Sequence, residues 1–171
     1  MIRQRAHRTP RHPEPHRRRG VHPRDAGLHR AFPRRPVGVA IGAAVHEPLL
    51  IPPLAASAAL IHSVPALPLA QPRSVIGGHL LCAAVGLGVH AALGSSLWSA
   101  AIAAGLALGT TMLARTPHSP ACDTAVIAVL QGPPPARFLS TLAVAAVLLV
   151  LAGCAAARLR RAATPYPSYW W

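Results

Sequence analysis

The chain has 171 residues, of which 52% are hydrophobic but only 4% aromatic. Soluble cores draw much of their buried area from Phe, Tyr and Trp, so this composition argues against one. Charged residues are only 12% of the chain, and thirteen of the twenty-one lie in residues 1–36. From Val37 to Ala157 the charges are Glu47, Arg73, Arg115, Asp123 and Arg137. That is the composition of a polytopic membrane protein, and it excludes an ordinary soluble enzyme.

The net charge of +13 would also suit a nucleic-acid binder. The chain has no Lys and no Asn, however, a bias typical of GC-rich coding sequence, so part of the charge reflects codon usage. The basic segment holds no recognisable nucleic-acid motif, and Phe32 alone could stack on a base, so nucleic acid is not an expected partner.

Residues 1–36 carry eleven Arg, five His and six Pro with two acids. No hydrophobic period survives, and the segment is read as a disordered tail. Three origins stand open: a lipid-headgroup-binding tail, a targeting peptide, or a mis-assigned start of translation.

Residues 37–157 form the expected transmembrane domain. Three stretches free of charge have spanning length: Val75–Leu93, Leu97–Leu113 and Phe138–Ala157. Between Val37 and Leu69 the apolar signal is broken by Glu47 and five prolines, and a second broken stretch runs from Pro120 to Leu130. The fold class expected is an all-α transmembrane bundle of about four full spans plus two short proline-initiated helices. Arg158, Arg160 and Arg161 open a short basic and aromatic tail, residues 158–171, which the positive-inside rule puts in the cytoplasm. Both termini are then cytoplasmic in the plasma membrane, with four crossings preferred over six. Cys82, Cys122 and Cys154 are an odd count without C-x-x-C spacing and are read as packing residues.

An internal repeat organises this zone. Pro53-Leu54-Ala55-Ala56-Ser57-Ala58-Ala59-Leu60 aligns with Pro120-Ala121-Cys122-Asp123-Thr124-Ala125-Val126-Ile127 at an offset of 67. Each copy is followed by a proline-containing loop and a long apolar span. Proline is favourable at the first helical turn, where no backbone N–H is lost. Transporter folds are often built from two such repeats, whose broken helices meet near the midplane and face the substrate. Ser57 and Thr124 fall in register near the two helix starts, where a hydroxyl can meet free N–H groups or a ligand.

The run from Pro68 to Leu80, with Gln71-Pro72-Arg73 and Ile76-Gly77-Gly78-His79, resembles the signature of the HPP family of integral membrane proteins. Thr116-Pro117-His118-Ser119-Pro120 through Ala125 is similar to the family's His-Pro-Pro run, with Ser119 in place of the first proline. Pro53–Ala58 is similar to its early proline-and-small-residue run. The resemblance covers residues 37–157. It implies a bundle of about four spans and, because some members are linked to nitrite transport, a small-anion transporter or channel. In this chain Ala55 and Cys122 stand where the family has glycine, and Asp123 replaces a small neutral residue. A non-transporting, diverged member is the alternative.

Candidate substrate-binding residues are Ser57, Arg73, His79, His118, Asp123 and Thr124. Arg73 offers several fixed donors to an anion. Intramembrane His and Asp are functional candidates by default. Gln71, Pro72, Gly77, Gly78, Ser119 and Pro120 complete the motif. His79 and His90 share a helix face but lie ~16 Å apart, too far to share a metal. A metal-dependent enzyme using His79, His118 and Asp123 is the weaker reading, since no ligand spacing such as H-E-x-x-H supports it. No enzyme activity, cofactor or metal is therefore expected. Ala101, Gly105 and Gly109 have small-xxx-small spacing and are read as a packing face. Expected partners are the lipid bilayer and a small inorganic anion, with assembly into a homo-oligomer left open.

Overall fold

The computed structural model describes residues 50–159 and 165–170. The tail over residues 1–36, the broken stretch over 37–49 and the cluster at Arg160 and Arg161 lie outside them. The described residues form five α-helices and no strand: α1 (Ile51–Ser63), α2 (Pro72–Leu93), α3 (Leu97–Leu113), α4 (Pro120–Gln131) and α5 (Pro135–Leu159). A short 3₁₀ turn, Pro68–Ala70, precedes α2.

Prolines set most of the helix starts. They occupy the first or second position of α1, α2 and α4, and one opens α5. The exception is α3, where the Ser96 side chain caps the helix by accepting from the Ser99 N–H at 3.0 Å. Two glycines end helices at positive φ, Gly94 after α2 (72°) and Gly132 after α4 (54°). Gly132 is needed for a second reason. A Cβ there would stand 2.3 Å from His90 Nε2, and His90 Nδ1 donates to the Val129 carbonyl at 2.7 Å.

Two helices are long and apolar enough to cross a membrane. These are α2, with 22 residues, and α5, with 25, against the ~20 that ~30 Å of hydrocarbon requires. The expectation of four full spans is therefore met only in part. With 17 residues, α3 reaches ~26 Å, while α1 with 13 and α4 with 12 reach ~20 Å and ~18 Å. The two short proline-started elements of the repeat are thus the two short helices, each followed by a long one.

The outer surface is apolar. Leu97, Trp98, Leu106, Met112 and Leu113 of α3 and Val144, Leu148 and Leu151 of α5 are exposed. Packing inside depends on close backbone approach rather than aromatic bulk. Gly86 of α2 faces α4 so tightly that a Cβ would lie 2.5 Å from the Ala125 carbonyl oxygen. The buried face of α3 is Ala100, Ala103, Ala107 and Thr111. Its small-xxx-small stripe lies elsewhere: Ala101, Gly105 and Gly109 are exposed, and among the described residues neither glycine has a neighbour that a Cβ would meet. Apolar side chains gather in two groups. One joins α1, α5, part of α2 and Ala128 of α4 to Tyr166 of the tail, and the other joins α2, α3 and α4.

Candidate functional site

Four buried polar side chains meet where α1, α2 and α4 come together. Ser57, His79 and Thr124 have no exposed surface, and His118 has 2%. Ser57 Oγ lies 2.9 Å from His79 Nε2 and 2.7 Å from His118 Nε2. It also lies 2.8 Å from the Pro53 carbonyl oxygen in its own helix. On its other side, His79 Nδ1 lies 2.9 Å from Thr124 Oγ1. His118 Nδ1 donates to the Leu69 carbonyl at 2.7 Å. The two imidazole rings meet edge to face, with centroids 5.0 Å apart. Ser57 and Thr124, in register 67 residues apart, are therefore bridged by a single histidine.

The two hydroxyls do not cap free helix N–H groups, as their positions in sequence suggested. Ser57 sits in the second turn of α1 and Thr124 in the first turns of α4, and both turn sideways to His79. The helix-start positions themselves, Leu50 and Ser119, make no side-chain capping bond.

The motif Gln71-Pro72-Arg73…Gly77-Gly78-His79 builds this arrangement. Gln71 is buried and ties two segments to the start of α2. Its Nε2 donates to the carbonyls of Pro65 (2.8 Å) and Leu67 (3.0 Å), and its Oε1 accepts from the N–H groups of Ser168 (3.1 Å) and Tyr169 (3.4 Å). Pro72 occupies the first turn of α2, and Arg73 donates to the Ala114 carbonyl at 3.1 Å, holding the α3–α4 connection. Gly77 and Gly78 leave room for that connection to lie on α2. A Cβ on Gly77 would touch Thr116 Cγ2 at 3.3 Å, and one on Gly78 would come within 2.7 Å of His118 Cβ. The paired glycines, immediately before His79 in α2, thus let His118 lie beside it.

Of the six candidates, the structure brings together Ser57, His79, His118 and Thr124. Arg73 is half-buried and lines a separate cavity of about 370 Å³ with Pro72, Ile76, Gly77, Thr116 and Trp170. Thr116 Oγ1 is buried there without a hydrogen-bond partner among the described residues. Asp123 is exposed on α4 and does not join the cluster. Among the described residues, no three His, Cys, Asp or Glu side chains converge as a metal site would need. Sequence reasoning missed the Leu69 carbonyl and the tail's hold on Gln71, which carry no side-chain signal.

The comparisons with known proteins agree with this architecture. The description of the transmembrane region of HPP proteins matches residues 36–167. A curated transmembrane protein of Dictyostelium discoideum is 34% identical over 132 residues, covering 72% of this chain and 46% of that protein. The chain thus spans less than half the length of that relative. No solved structure matches it significantly. With the family signature explained by the contacts around α2, and the match running through all five helices, the chain belongs to the HPP family of transmembrane proteins.

Proposed function

We propose that this protein is a multi-pass plasma-membrane transporter or channel for a small monovalent anion of the nitrite kind. The observation that carries the reading is His79, which joins Ser57 of one repeat unit to Thr124 of the other at a fully buried point. Repeat-built transporters place their substrate between corresponding broken helices. Here the corresponding elements are α1 and α4. The first turns of each contribute roughly half a positive charge, so an anion held between them needs no buried arginine. Hydroxyl and imidazole N–H groups supply directional donors. Arg73, at the start of α2 and lining a cavity apart from the cluster, adds a positive charge outside the site that draws anions toward the protein. No step of this reading requires an enzyme reaction, a cofactor or a metal.

Arginine placement supports a topology with both termini in the cytoplasm, since fourteen of the seventeen lie in the two tails. Reporter fusions at each end test it, and an external C-terminus refutes the even number of crossings.

The functional test is nitrite uptake by proteoliposomes holding the full chain, measured against empty vesicles and against Ser57→Ala and Thr124→Val. Uptake above the empty vesicles that falls at least about tenfold in each variant, the loss of one directional donor bond of about 1.4 kcal/mol, supports the reading. Wild-type flux equal to that of empty vesicles, with a control transporter active, replaces it with a non-transporting HPP protein.

A further inference from the structure

The buried cluster is one proton short of filling its own hydrogen bonds. It makes five contacts: Ser57 with the Pro53 carbonyl, with His79 and with His118, His79 with Thr124, and His118 with the Leu69 carbonyl. Each contact needs one hydrogen. Two neutral imidazoles and two hydroxyls supply one each, which leaves the fifth contact unfilled.

The carbonyls fix most of the assignment because they only accept. Leu69 takes the hydrogen of His118 Nδ1. If Ser57 then donates to His118 Nε2, the Pro53 carbonyl is left out. If Ser57 donates to Pro53, two lone pairs face each other between Ser57 and His118. One added proton on His118 Nε2 removes the conflict. His118 and His79 then both donate to Ser57 Oγ, Ser57 donates to Pro53, and Thr124 donates to His79 Nδ1. All five contacts are filled, and the hydroxyl oxygen gives one bond and takes two.

We propose that Ser57, His79 and His118 form a binding site for a single shared proton, and that this proton accompanies the anion, so that the cargo is the anion of a weak acid moved together with H⁺. The coupling rests on the anion reading above; the proton site does not. No electrons move. A proton from water adds to His118 Nε2. With His79 in its Nδ1–H form and Ser57 turned toward it, His118 passes that proton to Ser57 Oγ while the hydroxyl proton passes to His79 Nε2. The charge crosses from one ring to the other through one oxygen, over contacts of 2.7 and 2.9 Å. Bound H⁺ and bound monovalent anion cancel, which removes the cost of holding either charge alone in a buried site.

The ionisable groups on the surrounding elements leave the cluster to itself. His62 of α1 donates to the Ala58 carbonyl, and on α2 Arg73 is turned to Ala114 and His90 to Val129. Cys82 of α2 and Cys122 of α4 contact each other. Asp123 of α4 and Arg115 of the α3–α4 connection are exposed, and Leu97–Leu113 contains no ionisable residue. Arg137 and Arg158 stand near the two ends of α5, and Cys154 is buried in the apolar group that α5 forms with α1 and Tyr166.

Two measurements on the full chain test the two halves. The first follows ¹⁵N-histidine spectra in nanodiscs from about pH 8 to about pH 3, a range that reaches below the normal histidine titration because burial disfavours a charged ring. His79→Gln and His118→Gln assign the signals. The expected result is one proton taken up by the pair, with both rings shifting in the same step and the second proton not entering. Two independent steps, or no protonation of either ring in folded protein, overturn the site. The second measurement follows nitrite uptake with a pH-sensitive dye inside the vesicles, corrected for empty vesicles. One H⁺ entering per anion, with uptake rising up to about tenfold per unit of external acidification while the site is mostly unprotonated, supports coupling. Uptake without a dye response overturns coupling and leaves the anion reading standing. A shared proton without any uptake overturns both coupling and the anion reading and leaves the proton site.

Discussion

Gly78 and His118 stand so close that a Cβ added to the glycine would lie 2.7 Å from the histidine's own Cβ. The neighbouring atom is near the backbone, so it cannot swing aside as a side-chain tip would. Gly78→Ala should push the α3–α4 connection off α2 and break the His118–Ser57 contact. The expected cost is about 1–3 kcal/mol of stability, as for overpacked cores. Detergent thermal denaturation measures it, and nitrite uptake should fall with it. Unchanged uptake in a stable Gly78→Ala protein would show that His118 is not needed where it sits.

Gln71→Leu keeps the side-chain volume but removes four hydrogen bonds, two given to the connection before α2 and two taken from the tail. The buried groups left behind lose about 1–3 kcal/mol. The tail should then detach. Chymotryptic cleavage after Tyr169 should be faster in the variant than in the wild type, with the helices still intact.

Tyr166 presents the opposite case. Its phenol is buried against Gly153 and has no hydrogen-bond partner among the described residues. Burial pushes its pKa above the ordinary phenol value, so it stays neutral and its O–H is left unmatched. Tyr166→Phe should stabilise the protein by about 1 kcal/mol, read as a higher melting temperature, because it deletes an unsatisfied group without opening a cavity. A lower melting temperature would mean that the hydroxyl has a partner in the membrane.

Asp123 is exposed on α4, away from the buried cluster. Asp123→Ala should therefore leave nitrite uptake within about twofold of wild type, the usual range for surface changes. A large rise in uptake would place its carboxylate in the anion's path after all.

The helices were legible in the sequence because their signals are local. Charge-free runs marked Val75–Leu93, Leu97–Leu113 and Phe138–Ala157, and the prolines marked where the short helices begin. The structure lengthens two of these runs backward, to Pro72 and Pro135, since the first turn tolerates both proline and polar residues. The repeat pointed to Ser57 and Thr124, because a register survives in sequence. It could not show that both turn to one histidine, since that depends on how closely α2 lies to its neighbours. Arg73 and Asp123 drew notice as charges in an apolar zone. The first is bound to a loop carbonyl and the second is exposed, and neither orientation follows from residue type.

The notch at Gly86, filled by the carbonyl of Ala125, locks α2 to α4 like a key in its slot. Neither helix can slide along the other without driving that oxygen into a neighbouring side chain. Thr124 and His79, one on each helix, are therefore carried as a fixed couple. Ser57 belongs to α1, whose buried residues share an apolar group with α5, with Val75 and Ala83 of α2 and with Ala128 of α4. Ser57 reaches that couple from a third helix, so its contacts with His79 and His118 depend on how α1 packs.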